Sequence, residues 1–330
     1  MNKTLTKFLH SQLLFYAIST ILLGRYFFEG VKMMYLFIAI SCLILAIYIY
    51  VIFILPYMIR EKHYFIHKNS NEIIDISHAY DLYELKSIVT IAHFSDTHFS
   101  RFFSPKKINR LIRSTQRNRP EIIIFTGDLI ENYGKWSPKM SPKLIRKMKR
   151  FTAPMGKIAI LGNHDYLNNG QYFVKNALEE SGFTVLKNEE IFGSMENFSI
   201  TVTGIDDPLK GKPKYHYEKT YSRWHLLLLH EPDMIQHVPD IRNYDLILAG
   251  HAHEPRKYFR RFKKKIKGAE YFTHGLYAVT EKTILSICNR ARRSYLSSRF
   301  RLVPEIIYYH LAKDDVNLLA DKTQKSSTNE

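Results

Sequence analysis

With 330 residues, the chain has room for one large domain or two small ones. A formal charge of +17 directs it toward polyanions: nucleic acid, an anionic membrane surface or phosphorylated substrates. Two cysteines, Cys42 and Cys288, exclude a disulfide framework and a cysteine-built metal site, which fits a reducing compartment.

The first predicted elements are apolar. Phe8 to Gly24 is a run interrupted by His10, Ser11 and Gln12. It suits a membrane span, an interfacial helix or a signal peptide, although LLGRYFFEG makes a poor cleavage site. Met33 to Met58 follows, 26 residues without a charge. About 20 apolar residues cross a bilayer, so this run is long enough to do so with some tilt. A buried core helix, the competing reading, is shorter and more interrupted. Residues 1–60 are therefore read as a membrane anchor, an N-terminal transmembrane helix in the form of a two-helix hairpin. Lys3 and Lys7 precede it and Arg60, Lys62 and Lys68 follow it, against Arg25 and Lys32 in the connecting loop. That bias puts the body on the cytoplasmic side of the inner membrane.

Beyond a linker at 61–86, apolar runs alternate with polar periodic ones. Ser87–Ser95 (SIVTIAHFS) predicts a buried strand. A helix follows, with Ser104 as N-cap, Pro105 at its first position and Ile108, Leu111 and Ile112 on one face. Strands are predicted at Glu121–Gly127, Lys157–Gly162, Ser199–Gly204, Trp224–His230 and Tyr244–Gly250, and helices near 138–151 and 170–181. The alternation predicts an α/β domain over 87–312. The last residues, 313–330, are polar and read as a frayed tail.

Nearly every predicted strand ends in a polar cluster: Asp96-Thr97-His98, Gly127-Asp128, Gly162-Asn163-His164-Asp165, His230, and Gly250-His251-Ala252-His253. Singly each has a bland reading. Asp96 and His98 suit a turn, Asp128 a helix cap, His230 a satisfied core histidine. Together they converge, because ligands of open α/β sheets gather beyond the carboxyl ends of strands. Carboxylate, amide oxygen and imidazole without thiolate suit Mn²⁺, Fe²⁺, Zn²⁺ or Mg²⁺. There are too many ligands for one tetrahedral ion; two ions sharing a bridging carboxylate use them all.

FSDTH, FTGDLIEN, LGNHDY, LLLLHEPD and LAGHAH resemble, in order and approximate spacing, five blocks of the calcineurin-like metallophosphoesterases. The resemblance runs from about Ile88 to Leu311. GIDDP, HGLY and RFRLVPEIIYYHL resemble the membrane-associated branch of that family. It implies a four-layer α/β/β/α sandwich and a metal-dependent hydrolase of phosphoric esters or anhydrides, with Mn²⁺ the first choice of ion. Asp96, His98 and His253 would hold one ion, Asp128 would bridge, and Asn163, His230 and His251 would hold the other. His164 would contact the phosphate and protonate the leaving oxygen. A hydroxide held between two cations is nucleophilic at neutral pH, and an imidazole is a suitable acid there. The chain departs from the family pattern twice. Glu131 stands where many members carry the second Asp of G-D-x-x-D, as the candidate for orienting His164. Glu254, Pro255 and Arg256 replace two glycines and a glutamine after the last block.

Between Arg256 and Lys267 stand eight Lys or Arg and no acid. Tyr258, Phe262 and Ile266 are four apart, so a helix would carry them on one face with cations alongside, the pattern of an interfacial helix on anionic lipid. A solvated basic loop is the plainer alternative. Arg256, Tyr258, Phe259, Arg260, Arg261 and Phe262 are thus the candidate substrate or membrane rim. An anionic membrane surface is a simpler partner than nucleic acid for a chain that carries a span. An anchored phosphohydrolase with such a rim suits an anionic amphiphile, and among enzymes of this kind the chain looks most like the UDP-2,3-diacylglucosamine pyrophosphatases of lipid A synthesis. That resemblance implies cleavage of a glycolipid nucleotide to UMP and a lipid monosaccharide phosphate. A broader membrane phosphodiesterase, a phospholipid phosphatase and an inactive scaffold remain the alternatives.

Overall fold

A computed structural model of the chain describes residues 12, 14–20, 31–50, 59–68, 73–75, 88–100, 108–218, 221–252, 266–288 and 305–312. The chain divides into two compact units, Met1–Tyr57 and Met58–Glu330.

In the first unit, residues 14–20 are helical and α1 covers Val31–Ile49, 19 residues rich in Ile, Leu and Met. Among the described residues no helix is long and apolar enough to cross a membrane. The remainder of the uncharged run, 51–58, lies outside the described residues.

The second unit is a sandwich of two sheets. The first runs β2 (Ile73–Asp75), β1 (Arg60–Ile66), β13 (Glu305–Ala312), β3 (Ile88–Phe94), β4 (Ile122–Thr126), β5 (Gly156–Ile160), β6 (Thr184–Val185). The second runs β11 (Gly275–Ala278), β12 (Ile284–Ile287), β10 (Leu246–Ala249), β9 (Trp224–Leu228), β8 (Phe198–Gly204), β7 (Glu189–Met195). Strand alternation sorts the side chains into layers. Ile122 and Ile124 face Ile200, Trp224, Leu226 and Leu246 of the other sheet. Ile123 and Phe125 face the helices α2 (Asn109–Asn118), α3 (Ser141–Met148) and α4 (Gly170–Glu180), through Leu111, Leu144 and Val174. On the far side Leu227, Ile247 and Leu285 are covered by Ile235, Val238 and Tyr244. The expected fourth helical layer is, among the described residues, made of 3-10 turns at Pro232–His237 and Ile241–Asn243 and of loops.

The segment read as a linker, 61–86, contributes β1 and β2 to the first sheet. β1 pairs in parallel with β13, Arg60 opposite Glu305 through Ile66 opposite Leu311. Only Tyr64–Ile66 of β1 are strongly apolar, and the partner that buries them arrives from the other end of the chain, so no local pattern announces the strand.

β13 and β3 carry histidines into the interior. His310 lies between Thr90 Oγ1 at 3.2 Å and His63 Nδ1 at 3.1 Å. Burial, and then the His63 ring, pushes His310 down to about 3. The folded chain therefore binds fewer protons here than the unfolded one. The stability this contributes is complete above the unfolded value of about 6.5 and is lost as pH falls toward about 3. Urea unfolding of the metal-free protein at pH 7 and pH 5 should show it: His310→Gln loses about 2 kcal/mol less than the wild type over that interval.

Candidate metal centre

The parallel strands β3, β4 and β5 of one sheet and β8, β9 and β10 of the other end at a common edge, and short turns there carry the polar clusters. Asp96, His98, Asp128 and His251 have positive φ (55°, 39°, 58° and 62°), four of the nine such non-glycine residues among those described. Left-handed turns cost energy for side chains of this size, and they gather where the fold over-determines them. Here the closeness of the turns enforces them. A Cβ on Gly250 would sit 2.1 Å from Ser95 Oγ and 2.6 Å from Asp96 Oδ2, and one on Gly127 would sit 2.5 Å from the nitrogen of Gly162.

The two sheets are stitched through the site. His251 N–H donates to Asp96 Oδ2 at 3.0 Å, and His230 Nδ1 donates to the carbonyl of Thr126 at 2.6 Å. These bonds also fix tautomers. With Nδ1 committed to Thr126, His230 points Nε2 inward, 3.3 Å from Asp128 Oδ2. His251 gives Nε2 to the carbonyl of Lys267 at 2.9 Å and turns Nδ1 to Asn163 Oδ1 at 3.1 Å. His98 sets Nε2 3.3 Å from both Asp96 Oδ1 and Asp128 Oδ2, with Nδ1 3.4 Å from Glu131 Oε2.

Asp128 is the hub. Its Oδ2 stands between His98 and His230, and its Oδ1 accepts the His164 N–H at 2.8 Å. Burial alone would raise its pKa, but His230 and His98 hold the carboxyl far below the usual range. Burial lowers His230 as well, yet Asp128 keeps it well above an ordinary histidine. Burial, with His230 beside it, pushes His251 down to about 4. Asp128 Oδ2 and His230 Nε2 are both buried without a hydrogen-bond partner, although they face each other. A cation between them resolves that conflict, and the nitrogen–oxygen donor set suits a divalent ion. Three side-chain groups offer ligand atoms within 4.8 Å of one another: Asp96, His98 and Asp128; His230, Glu231 and His251; His98, Glu131 and His164.

The structure thus brings together Asp96, His98, Asp128, Asn163, His164, His230 and His251. His253 and the rim residues Arg256, Tyr258, Phe259, Arg260, Arg261 and Phe262 lie outside the described residues. Glu131 departs from its expected role. His164 Nδ1 donates at 2.8 Å to the backbone carbonyl of Glu131, while the Glu131 carboxylate reaches His98. The longer side chain passes His164, and the peptide group does the orienting.

Asp165 and the pair Asp207 and Glu231 escaped assignment from sequence. Asp165, fully buried, accepts the N–H groups of Asp128 (2.9 Å), Leu129 (2.8 Å), Ile130 (3.3 Å) and Gly162 (3.0 Å), clamping the Asp128 turn. Its signal was its place in LGNHDY. Glu231 and Asp207 stood beside His230 and in GIDDP, with nothing local to show that they meet.

Residues 89–255 match the family model described as calcineurin-like phosphoesterase. Among curated proteins, the chain is 28% identical over 272 residues to the uncharacterized metallophosphoesterase YkuE of Bacillus subtilis, covering 80% of this chain and 89% of YkuE. It is 30% identical over 170 residues to YkoQ of the same organism, covering 50% of this chain and 61% of YkoQ. It is 23% identical over 271 residues to LpxG of Chlamydia trachomatis, a UDP-2,3-diacylglucosamine pyrophosphatase, covering 66% of this chain and 81% of LpxG.

Proposed function

The chain belongs to the calcineurin-like phosphoesterases and is a metal-dependent phosphoester hydrolase; from that premise we propose that it is a membrane-anchored, two-ion enzyme that cleaves the pyrophosphate of UDP-2,3-diacylglucosamine to UMP and 2,3-diacylglucosamine 1-phosphate. The observation that carries the two-ion part is the single Asp128 oxygen set 3.3 Å from both His98 and His230. In this reading Asp96, His98 and His253 would hold one ion, Asn163, His230 and His251 the other, and Asp128 would contribute to both. Bound divalent ions, Mn²⁺ first among them, neutralise charge on phosphoryl oxygens and make water nucleophilic at neutral pH.

The chain's own groups do the rest. The Thr126 and Lys267 carbonyls hold the imidazoles of His230 and His251 in the metal-binding tautomer. Asp165 fixes the turn that aims Asp128. His164, with Nδ1 committed to the Glu131 carbonyl, keeps Nε2 for the substrate, where it meets phosphoryl charge and can protonate a leaving oxygen that needs it.

Membrane attachment at the cytoplasmic face of the inner membrane is supported by the 26 uncharged residues from Met33 to Met58 and by α1. Leu36, Leu43 and Ile47 are exposed on one of its faces, and Ile38, Leu45 and Ile49 on the opposite face. A helix apolar all round is unsuited to water. The choice of glycolipid rests on the likeness to LpxG and on the cationic, aromatic run from Arg256 to Lys267. The test is UMP release from UDP-2,3-diacylglucosamine in Mn²⁺ and detergent, beside ordinary phospholipids and an aryl phosphodiester. The expected result is UMP release as the fastest reaction, with joint replacement of Arg256, Arg260 and Arg261 by Ser slowing it far more than aryl diester cleavage. Absence of UMP release overturns the substrate; faster phospholipid turnover replaces it with the broader phosphodiesterase.

A further inference from the structure

Glu231 lies at the metal centre without belonging to the ligand set above. Its side chain is fully buried, and neither carboxylate oxygen receives an N–H or hydroxyl donor; the group it meets is the carboxyl of Asp207. Oε1 is 4.0 Å from His251 Nδ1, the ring nitrogen that faces Asn163. His230, Glu231 and His251 each present a ligand atom within 4.8 Å of the others, so a small inward turn of the side chains brings all three to the distance of about 2.0–2.2 Å at which such ligands hold an ion.

The surroundings hold Glu231 in this position. A Cβ on Gly268, whose φ is +89°, would lie 2.7 Å from Glu231 Cγ, so only glycine leaves room for the side chain there. The same turn supplies the Lys267 carbonyl to His251. Asp233 pins the loop that follows, accepting the N–H groups of Glu270 at 2.5 Å and Phe272 at 2.9 Å. Behind Glu231 stands Asp207, also fully buried and in contact with its carboxyl. Asp207 Oδ1 accepts the N–H groups of Leu209 at 3.0 Å and Lys210 at 2.6 Å, while Oδ2 receives no N–H or hydroxyl donor. Two buried carboxyl groups that, for three of their oxygens, have only each other to share a proton with are costly in a protein interior. A structural acid in such a place would have donors around it, as Asp165 has.

We propose that Glu231 is a further ligand of the ion held by Asn163, His230 and His251, and that Asp207 is its positioning residue. This rests on the two-ion reading and deepens it. Glu231 would add a negative oxygen to a site that otherwise takes its charge from Asp128 alone, strengthening its hold on a hard divalent ion.

The test is titration of the metal-free full-length protein with Mn²⁺ by calorimetry, with thermal melts before and after loading. The wild type is expected to bind two ions. Glu231→Gln should keep one at wild-type affinity and weaken the other about 10- to 100-fold. Its metal-free form should melt near the wild-type temperature, because the amide can donate to Asp207 in place of the carboxyl's shared proton, and should gain less on loading. Asp207→Asn should weaken the same site by a smaller factor, and it carries the test if the Gln variant does not fold. Two ions bound at wild-type affinity by the variant tested overturn the assignment while leaving the two-ion reading intact. A wild type that binds no divalent ion overturns both.

Discussion

Asp128→Ala should abolish hydrolysis and loosen both ions together, a loss of at least about 10³-fold in turnover and more than about 100-fold in Mn²⁺ affinity. The reason lies in how many tasks one side chain performs. Oδ2 stands 3.3 Å from His98 on one side and from His230 on the other, so removing it opens both sites rather than one. Oδ1 accepts the backbone N–H of His164, so the same substitution releases the acid. The turn itself should survive, since Asp165 accepts the N–H groups of residues 128–130 irrespective of the side chain at 128. Calorimetric Mn²⁺ binding beside a circular dichroism melt separates lost metal from lost fold. An Asp128→Ala protein that still holds two ions and turns over within tenfold of wild type would remove Asp128 from the centre. Asn at this position is the sharper control: it keeps an acceptor for His164 but lacks the charge, so ion affinity should fall while the His164 turn stays ordered.

Strands β3, β4, β5, β8, β9 and β10 were legible because each is a short, continuous apolar run closed by a polar turn, whereas β12 and β13 were not read as strands. Ile122–Thr126 and Trp224–Leu228 are fully buried on both faces, as strands between layers are. The polar residues that the structure gathers at the candidate centre were legible for the same reason, each following closely on such a run. What the sequence hid depends on contacts between distant segments. β1 has a strand's burial only because β13, some 240 residues later, lies beside it. Glu131 held a family position that invited a side-chain role, but its carbonyl meets His164 and its carboxylate meets His98, a choice set by the path of the loop. Asp207 and Glu231 come from the ends of β8 and β9, and only the pairing of those strands brings the two carboxyl groups together.

That pairing also explains why the site needs both sheets. Asp96, Asp128, Asn163 and His164 come from the first sheet, and His230 and His251 from the second. The bonds from His230 to Thr126 and from His251 to Asp96 cross between them. The apolar layer beneath, Ile124 and Ile160 against Leu226 and Leu248, sets the spacing of the two sheets and hence of the two halves of the centre. A cavity opened in that layer would therefore reach the candidate metal centre through the sheet spacing.

His164→Ala should cost activity in proportion to how poor the leaving group is. General acids contribute about 10²- to 10⁴-fold when the departing oxygen must be protonated. Cleavage of a phosphodiester that expels an alkoxide should therefore fall by that factor. An aryl oxide or a phosphate monoester, whose second pKa is about 6, leaves without much help, so those substrates should lose only about tenfold. UDP-2,3-diacylglucosamine belongs to the second class, because both sides of a cleaved pyrophosphate are phosphates. If it is the substrate, His164 serves it chiefly by meeting phosphoryl charge from Nε2, and the variant should raise KM more than it lowers kcat on it. Mn²⁺ binding should be unchanged, since the His164 ring takes its orientation from the Glu131 carbonyl and only its backbone touches Asp128. The measurement is a leaving-group series: log kcat/KM against the pKa of the departing alcohol or phosphate, for wild type and His164→Ala. A steeper negative slope in the variant is the signature of a lost acid. Parallel lines would assign His164 to substrate binding alone, and weakened Mn²⁺ affinity in the variant would make it a ligand.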